Sequence, residues 1–444
     1  MQLPRDVKQI IDVLTANGHE AYAVGGCVRD TLLLRMPKDW DITTSATPEQ
    51  VKALFSHTID TGIQHGTVTV ILNHIGYEVT TYRIDGEYED ARHPKEVIFT
   101  SNLVEDLKRR DFTINAMAYN ETQGLVDEFD GVGDLERKMI RCVGSPMERF
   151  SEDALRMLRA VRFSAQLGFS IEEQTKEAIR VLAPTIAKVS VERITTELIK
   201  ILESNHPEEI KTAYELGLTR IFLPEFDTMM QTPQNTKHHM YNVGEHTIVS
   251  LQNIAPDKIL RLTMLFHDIA KPICISTEAD GKNHFYGHPK VGADMTKDIL
   301  RRLKLDNDTI EKVTHLILFH DERPALKPKS IRRLCSKVGI EFCQMLFEVK
   351  RADTLAQSMY RREEKLAYIE QLEEAFEDIQ KNNICIQKKD LKVNGKDLIQ
   401  LGMKPGKELG CVLEELFQAV LDDPSLNNRE KLLELANKLA TPFI

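Results

Sequence analysis

Asp39 and Asp41 are separated only by Trp40, directly after a Pro-Lys break, in the stretch VGGCVRDTLLLRMPKDWDI at residues 24–42. In an extended strand, side chains at i and i+2 leave the same face. The two carboxylates would then stand about 7 Å apart at the backbone while Trp40 turns the other way into a core. Such a pair can grip a divalent cation together, although a solvated strand edge is the ordinary reading of an alternating polar pair. Gly25 and Gly26 sit where a strand would hand over to a helix. Backbone amides there can approach a phosphate with no Cβ in the way, and the helix N-terminus adds partial positive charge. Arg29 would add a charge-assisted contact. A phosphate cradle beside two convergent carboxylates suits paired Mg2+ ions, one activating a hydroxyl and one holding a triphosphate. Glu78, in YEVTTYR, offers a third carboxylate and reads equally well as an exposed strand residue.

Two later stretches extend this chemistry. In KRRDFTINAMA, residues 108–118, Arg109, Arg110 and Asp111 precede an apolar, helix-like run. Beside a triphosphate site, Arg110 becomes a phosphate ligand rather than a solvated surface charge. SEDALRMLRAVRF spaces Asp153, Arg156, Arg159 and Arg162 three residues apart, which on one helix makes a polar stripe. The bland reading is a row of surface ion pairs of little energetic weight. The sharper one is nucleobase choice. A carboxylate accepts from the exocyclic amino group of cytosine or adenine, and a guanidinium donates to the neighbouring ring acceptor. Guanine and uracil present oxygen and N–H at those places, and Asp153 with Arg156 would repel both.

The elements that must position these residues follow from pattern. Val7, Ile10, Ile11 and Leu14 have helical spacing, and HEAYAVGG reads as a strand running into a turn. DWDITT, GTVTVILN and GYEVTTYRI read as β-branched strands, and TPEQVKALF reads as a helix that Thr47 caps with Pro48 in its first turn. RIDGEYEDARHP, residues 83–94, reads as a mobile polar loop. From about Ser151 the pattern becomes helical almost throughout, broken by QTPQNTKHHMYN at 231–242. Over 444 residues the net charge is -10, which argues against a general nucleic-acid coating and confines RNA contacts to local basic patches. The seven cysteines form no CxxC pair and fit reduced thiols, so a cytoplasmic protein without a membrane span is expected.

GGCVRDTLLLRMPKDWDI, RRDFTINAMA, VDEFDGVGDLERKMIRCVG, SEDALRMLR and VSVERITTELIKIL resemble the successive motifs of class II tRNA nucleotidyltransferases. This family comprises the CCA-adding enzymes and the bacterial poly(A) polymerases, and the likeness runs from about residue 20 to about 202. It implies a polymerase-beta-like α/β head at 1–140 and an all-α neck at 141–230, followed by an HD-type body at 231–375 and a helical tail at 376–444. It also implies Mg2+ at Asp39 and Asp41, and nucleotide contacts from Gly26, Arg29, Arg110, Asp153, Arg156, Arg159 and Arg162. The implied partners are tRNA, CTP and ATP, with no DNA and an open oligomeric state. Members that add only CC have a shortened loop before the second motif. The 83–94 loop here looks intact, which favours addition of the terminal A. ITTSATPEQVKAL lacks the basic signature that usually follows the catalytic aspartates of the poly(A) polymerases, so CCA addition is preferred.

His246, His267, Asp268, His288, His320 and Asp353 fall within or beside helical segments and resemble the H…HD…D set of HD phosphohydrolases. The resemblance implies a second divalent metal, for which imidazole with carboxylate suits Mn, Ni, Co or Fe as well as Mg. Hydrolysis of phosphoesters at RNA ends, such as a 2',3'-cyclic phosphate, is one expectation, and a tRNA-binding body without turnover is its rival. Two further rivals are a nucleotide-signalling synthetase-hydrolase and an HD hydrolase with a degenerate front end. KPKSIRR at 327–333 and VNGKDLIQLGMKPGKELG at 393–410 are candidate contacts for the tRNA backbone.

Overall fold

The computed structural model describes residues 1–85, 97–382 and 384–440. The chain divides into two compact units, Met1–Asp227 and Thr228–Ile444.

The first unit opens with the amphipathic helix Arg5–Ala16, whose buried face is Val7, Ile10, Ile11 and Leu14. Its strands, in chain order, are β1 (Ala21–Val24), β2 (Ile42–Thr44), β3 (Thr58–Gly62), β4 (Thr67–Leu72), β5 (Ile75–Thr81), β6 (Arg83–Asp85), β7 (Val97–Phe99), β8 (Ala118–Asn120) and β9 (Gly124–Val126). Seven of them form one mixed sheet in the order β3, β4, β5, β2, β1, β8, β9, while β6 and β7 pair separately. β1 and β2 are buried along their whole length, as central strands must be. In β5, by contrast, Tyr77, Val79 and Thr81 are buried and Glu78 is exposed. The helix Pro48–Leu54 starts as its sequence requires: Thr47 Oγ1 accepts from the Gln50 amide, and the Gln50 side chain accepts from the Thr47 amide.

Three local expectations are corrected. Asp39 and Asp41 do not lie within a strand, because β2 begins only at Ile42. The Val24 amide still donates to the Asp41 carbonyl at 3.0 Å. The chain of β1 then leaves the sheet at Gly25, where φ is +81°, so the backbone before Asp41 has no ladder partner on that side. Trp40 is half-buried rather than a core residue. RRDFTINAMA is not helical: a 3-10 turn at Thr113–Asn115 leads directly into β8. The segment is buried on both sides, with Thr113 Oγ1 donating to Asp134 at 2.6 Å. Residues 86–94 of the expected mobile loop lie outside the described residues.

Helices follow, among them Pro146–Glu152, Leu155–Leu167 and Val191–Leu202. Asp153 therefore does not share a helix with Arg156, Arg159 and Arg162. It has extended backbone, φ -141° and ψ 104°, in the break between two helices. Its Oδ1 accepts from the Leu155 amide at 3.0 Å, so the side chain competes with the helix for the backbone and restarts it two residues later.

The second unit is helical apart from a two-stranded ladder, Ser276–Thr277 with Asn283–His284. One of its cores is built from Leu346, Phe347, Leu372, Leu398, Leu416 and Leu432 with their neighbours. KPKSIRR is not a free basic patch. Lys329 and Arg333 pair with Asp422 at 2.6 and 2.9 Å, and Arg332 donates to the carbonyls of Leu421 and Asp422. These cations satisfy the C-terminal end of the helix Lys407–Asp422, where exposed carbonyls favour positive charge. In the tail segment, Asn394 and Asp397 form a reciprocal cap on the helix Gly395–Gln400. All seven cysteines are unpaired thiols. Among the described residues no helix is long and apolar enough to cross a membrane.

Candidate active site and a second polar centre

One cavity of about 1210 Å3 in the first unit is lined by all nine residues expected to bind nucleotide or metal there. Its walls carry ten arginine and lysine side chains against six carboxylates, so a chain that is acidic overall has a locally cationic cleft suited to a polyphosphate.

The Gly-Gly turn is constrained by its surroundings. A Cβ on Gly25 would lie 3.0 Å from Arg110 Nη1, and the positive φ already disfavours any other residue. The resemblance singles out Gly26, whereas of the two glycines it is Gly25 whose backbone and surroundings require the absence of a side chain. Asp41 is solvent-accessible, and the walls of the cleft still push its carboxyl up. Arg110 opposes that rise, while Glu78 and Asp39 reinforce it. The register of β2 against β5 pairs Ile42 with Val79, which brings Glu78 level with Asp41. Three carboxylates repelling one another are a hard-oxygen donor set that a divalent cation would relieve.

The arginines are held by partners that the sequence pattern did not reveal. Arg29 Nη1 donates to Asn115 Oδ1 at 2.7 Å, and Asn115 Nδ2 donates to Asp111 Oδ1 at 3.1 Å. Asp111 Oδ2 also accepts from Arg159 Nε and Nη2 at 2.8 and 2.5 Å. Burial alone would raise the Asp111 carboxyl, but Arg159 and Asn115 outweigh it and hold the group well below the usual carboxylate range. Arg162 Nε lies 2.8 Å from Glu197 Oε2. Burial, reinforced by Arg159, depresses the Arg162 guanidinium to about 10. The guanidinium carbons of Arg29, Arg159 and Arg162 lie 5.0, 5.5 and 4.0 Å from the centre of the Phe163 ring, a shared cation-π platform. Arg109 and Arg110 both pair with the buried Asp106, at 2.8 and 3.4 Å. Arg156 donates to Glu152 at 2.5 Å and to the Arg109 carbonyl at 3.0 Å.

In the second unit the six expected residues converge. Asp268 sits at their centre: Oδ2 lies 3.6 Å from His246 Nε2 and 3.2 Å from His267 Nε2, and Oδ1 lies 3.4 and 3.8 Å from His288 and His320 Nε2. Asp353 Oδ1 is 2.9 Å from His246 Nε2. The potential ligand atoms of His246, His267 and Asp268 lie within 4.8 Å of one another, as do those of Asp268, His288 and His320. In His267, His288 and His320 the Nδ1 atoms bond to the carbonyls of Met264, Phe285 and Ile317 at 2.8, 2.8 and 2.7 Å. A carbonyl can only accept, so Nδ1 donates in each ring and Nε2 is the nitrogen turned toward Asp268. Burial and the neighbouring imidazoles push His320 down to about 4, which keeps it neutral. Asp268 Oδ2 is buried without an aligned hydrogen bond, so its charge depends on a nearby cation. Lys271, unnoticed in the sequence, is 2.7 Å from that oxygen, one helical turn on. A cavity of about 330 Å3 opens here, with Lys271, Arg323 and Lys365 in its walls.

Residues 21–141 match the family described as Poly A polymerase head domain. Residues 168–230 match the one described as "Probable RNA and SrmB- binding site of polymerase A", and residues 288–436 match tRNA nucleotidyltransferase domain 2. The chain is 35% identical to the CCA-adding enzyme of Enterococcus faecalis, with 98% of this chain and 97% of that protein aligned. It is likewise 35% identical to the CCA-adding enzyme of Lactiplantibacillus plantarum, over 99% and 98% of the two chains. The crystal structure of Bacillus stearothermophilus CCA-adding enzyme in complex with CTP superposes with TM-score 0.73 at 29% identity, covering 100% of this chain and 99% of that one. The Thermotoga maritima CCA-adding enzyme complexed with tRNA shares the fold at TM-score 0.62 and 22% identity, over 98% and 96% of the two chains.

Proposed function

The chain belongs to the CCA-adding enzymes, and from that premise we propose that its first unit joins C, C and A in turn to the 3' end of tRNA at the cleft containing Asp39 and Asp41. CTP and ATP are the nucleotide substrates, and the reaction needs a divalent cation, which we assign as Mg2+. The observation that carries the site assignment is the convergence of every expected nucleotide-binding side chain on one cationic cavity.

Asp39 and Asp41 would hold the metal, with Glu78 beside them. When bound, it neutralises phosphate charge and makes the RNA 3' hydroxyl easier to deprotonate. The rest is done by the chain's own groups. Gly25 leaves room for phosphate, and Arg29 and Arg110 donate to the triphosphate oxygens. The hydroxyl oxygen forms a bond to the α-phosphorus, the bond to the bridging oxygen breaks, and pyrophosphate departs into a wall rich in guanidinium groups. Asp153 and Arg156 read the base. In segments, we assign the head to 1–140, the neck to 141–230, the body to 231–375 and the tail to 376–444. Purified protein given tRNA lacking CCA should add CC with CTP alone and CCA with CTP plus ATP, with UTP and GTP rejected. Product lengths on a gel decide this, and long A tails would instead indicate a poly(A) polymerase.

The buried His and Asp cluster favours a second reading for the second unit, a metal-dependent phosphohydrolase. His246, His267, Asp268, His288, His320 and Asp353 would hold one or more divalent transition metals, which when bound supply Lewis acidity toward a phosphoester. Metal analysis of the purified protein should find transition metal that Asp268→Ala removes while CCA addition persists. Asp41→Ala protein should still hydrolyse a 2',3'-cyclic nucleotide. Absence of both metal and hydrolysis would leave the unit as a structural RNA-binding body.

A further inference from the structure

We infer that Arg193 is a positioning residue for nucleobase choice, holding the Asp153 carboxylate in the orientation that accepts from an exocyclic amino group; this rests on the assignment of Asp153 and Arg156 as the base readers. The two readers are held very differently. Arg156 is anchored by its immediate surroundings, donating to the Glu152 carboxylate at 2.5 Å and to the carbonyls of Arg149 and Arg109 at 3.2 and 3.0 Å. Asp153 has no helix to set its direction, since its backbone is extended between two helices. One carboxylate oxygen takes the Leu155 amide at 3.0 Å, and the other takes Arg193 Nη2 at 2.6 Å.

Arg193 arrives from forty residues further along the chain, in the first turn of the helix Val191–Leu202. Both side chains line the nucleotide cavity, and they are only 25% and 16% exposed. With each oxygen holding one donor, the plane of the carboxylate is set, and its remaining lone pairs are left for a third donor. An amino group at C4 of cytosine or C6 of adenine supplies that donor. The carbonyl of uracil or guanine would face an acceptor that cannot turn away from it. Without Arg193 only the Leu155 amide holds the carboxylate, its plane can swing about that one contact, the repulsion is relieved, and the wrong base is tolerated. Arg193 thus acts on the base through Asp153, and on choice more than on rate.

The test compares kcat/KM for CTP and UTP on tRNA lacking CCA, in wild type and in Arg193→Gln, Arg193→Lys and Asp153→Asn proteins whose thermal unfolding has been checked. Arg193→Gln should lower the CTP-over-UTP preference on the order of tenfold, within what one well-placed polar contact discriminates. Arg193→Lys should recover part of it, because an ammonium can keep one of the contacts. Equal losses for CTP and UTP in Arg193→Gln would overturn the inference and mark Arg193 as a phosphate ligand or a purely structural residue. If Asp153→Asn shifts the preference and Arg193→Gln does not, the positioning role alone fails. If neither does, the base-reading assignment fails with it.

Discussion

Asp41→Ala should lower nucleotide incorporation on the order of 10³-fold or more in kcat, while tRNA binding read by gel shift should be unchanged. The size follows from what is removed on the proposed assignment: one of three carboxylates that would hold a divalent cation against a triphosphate, a contribution on the order of several kcal/mol to the transition state. Asp41 is the more sensitive of the pair. Its carbonyl is tied to β1 through Val24, so its position is set by the sheet, whereas Asp39 precedes any strand pairing. Normal turnover in Asp41→Ala would remove the site from this cleft altogether.

Asp111→Ala should damage folding and binding together. Its buried carboxylate holds Arg159 directly and supports Arg29 by way of Asn115, while Arg29 is also paired with Asp30 at 2.8 Å. Removing it leaves Arg159 uncompensated, at a cost of about 3 kcal/mol, the low end for a broken buried pair because Arg159 is one-third open to solvent. The first unit should unfold at lower denaturant concentration, and KM for CTP should rise as Arg159 loses its orientation and Asn115 its anchor. The pH dependence carries a sign. The folded Asp111 carboxyl lies below its unfolded value, so its stabilising contribution is complete above the ordinary carboxylate range. It is lost as pH falls through and below that range, and Asp111→Asn should flatten this acid limb. An unchanged acid limb in Asp111→Asn would show that the carboxylate carries no such linkage.

These two residues also show where sequence reading succeeds and where it stops. Asp39, Asp41 and the glycine turn were legible because they lie within one short stretch, and residue type with spacing constrains chemistry there. The histidines of the second unit were legible as a set by type, although their shared dependence on Asp268 was not. What the pattern could not show is pairing across distance: Arg29 with Asn115, Asp153 with Arg193, Arg162 with Glu197. Local periodicity also misled where side chains override it. Apolar spacing in DFTINAMA suggested a helix, but Thr113 and Asn115 spend their hydrogen bonds on Asp134 and Asp111, and the chain turns instead. In SEDALR the spacing of three was real in the sequence, but Asp153 captures the Leu155 amide and stands outside the helix that carries Arg156, Arg159 and Arg162. KPKSIRR looked like a free basic patch because its acidic partner, Asp422, lies some ninety residues away.

Trp40 is the only tryptophan in the chain, and it stands half-buried between the two aspartates on which the chemistry is centred. Excited at the red edge of its absorption, where tyrosine is silent, it is an intrinsic optical reporter adjacent in the chain to two residues that line the proposed nucleotide cleft. Filling of that cleft can therefore be followed in the unmodified protein as a change in emission, separately from turnover.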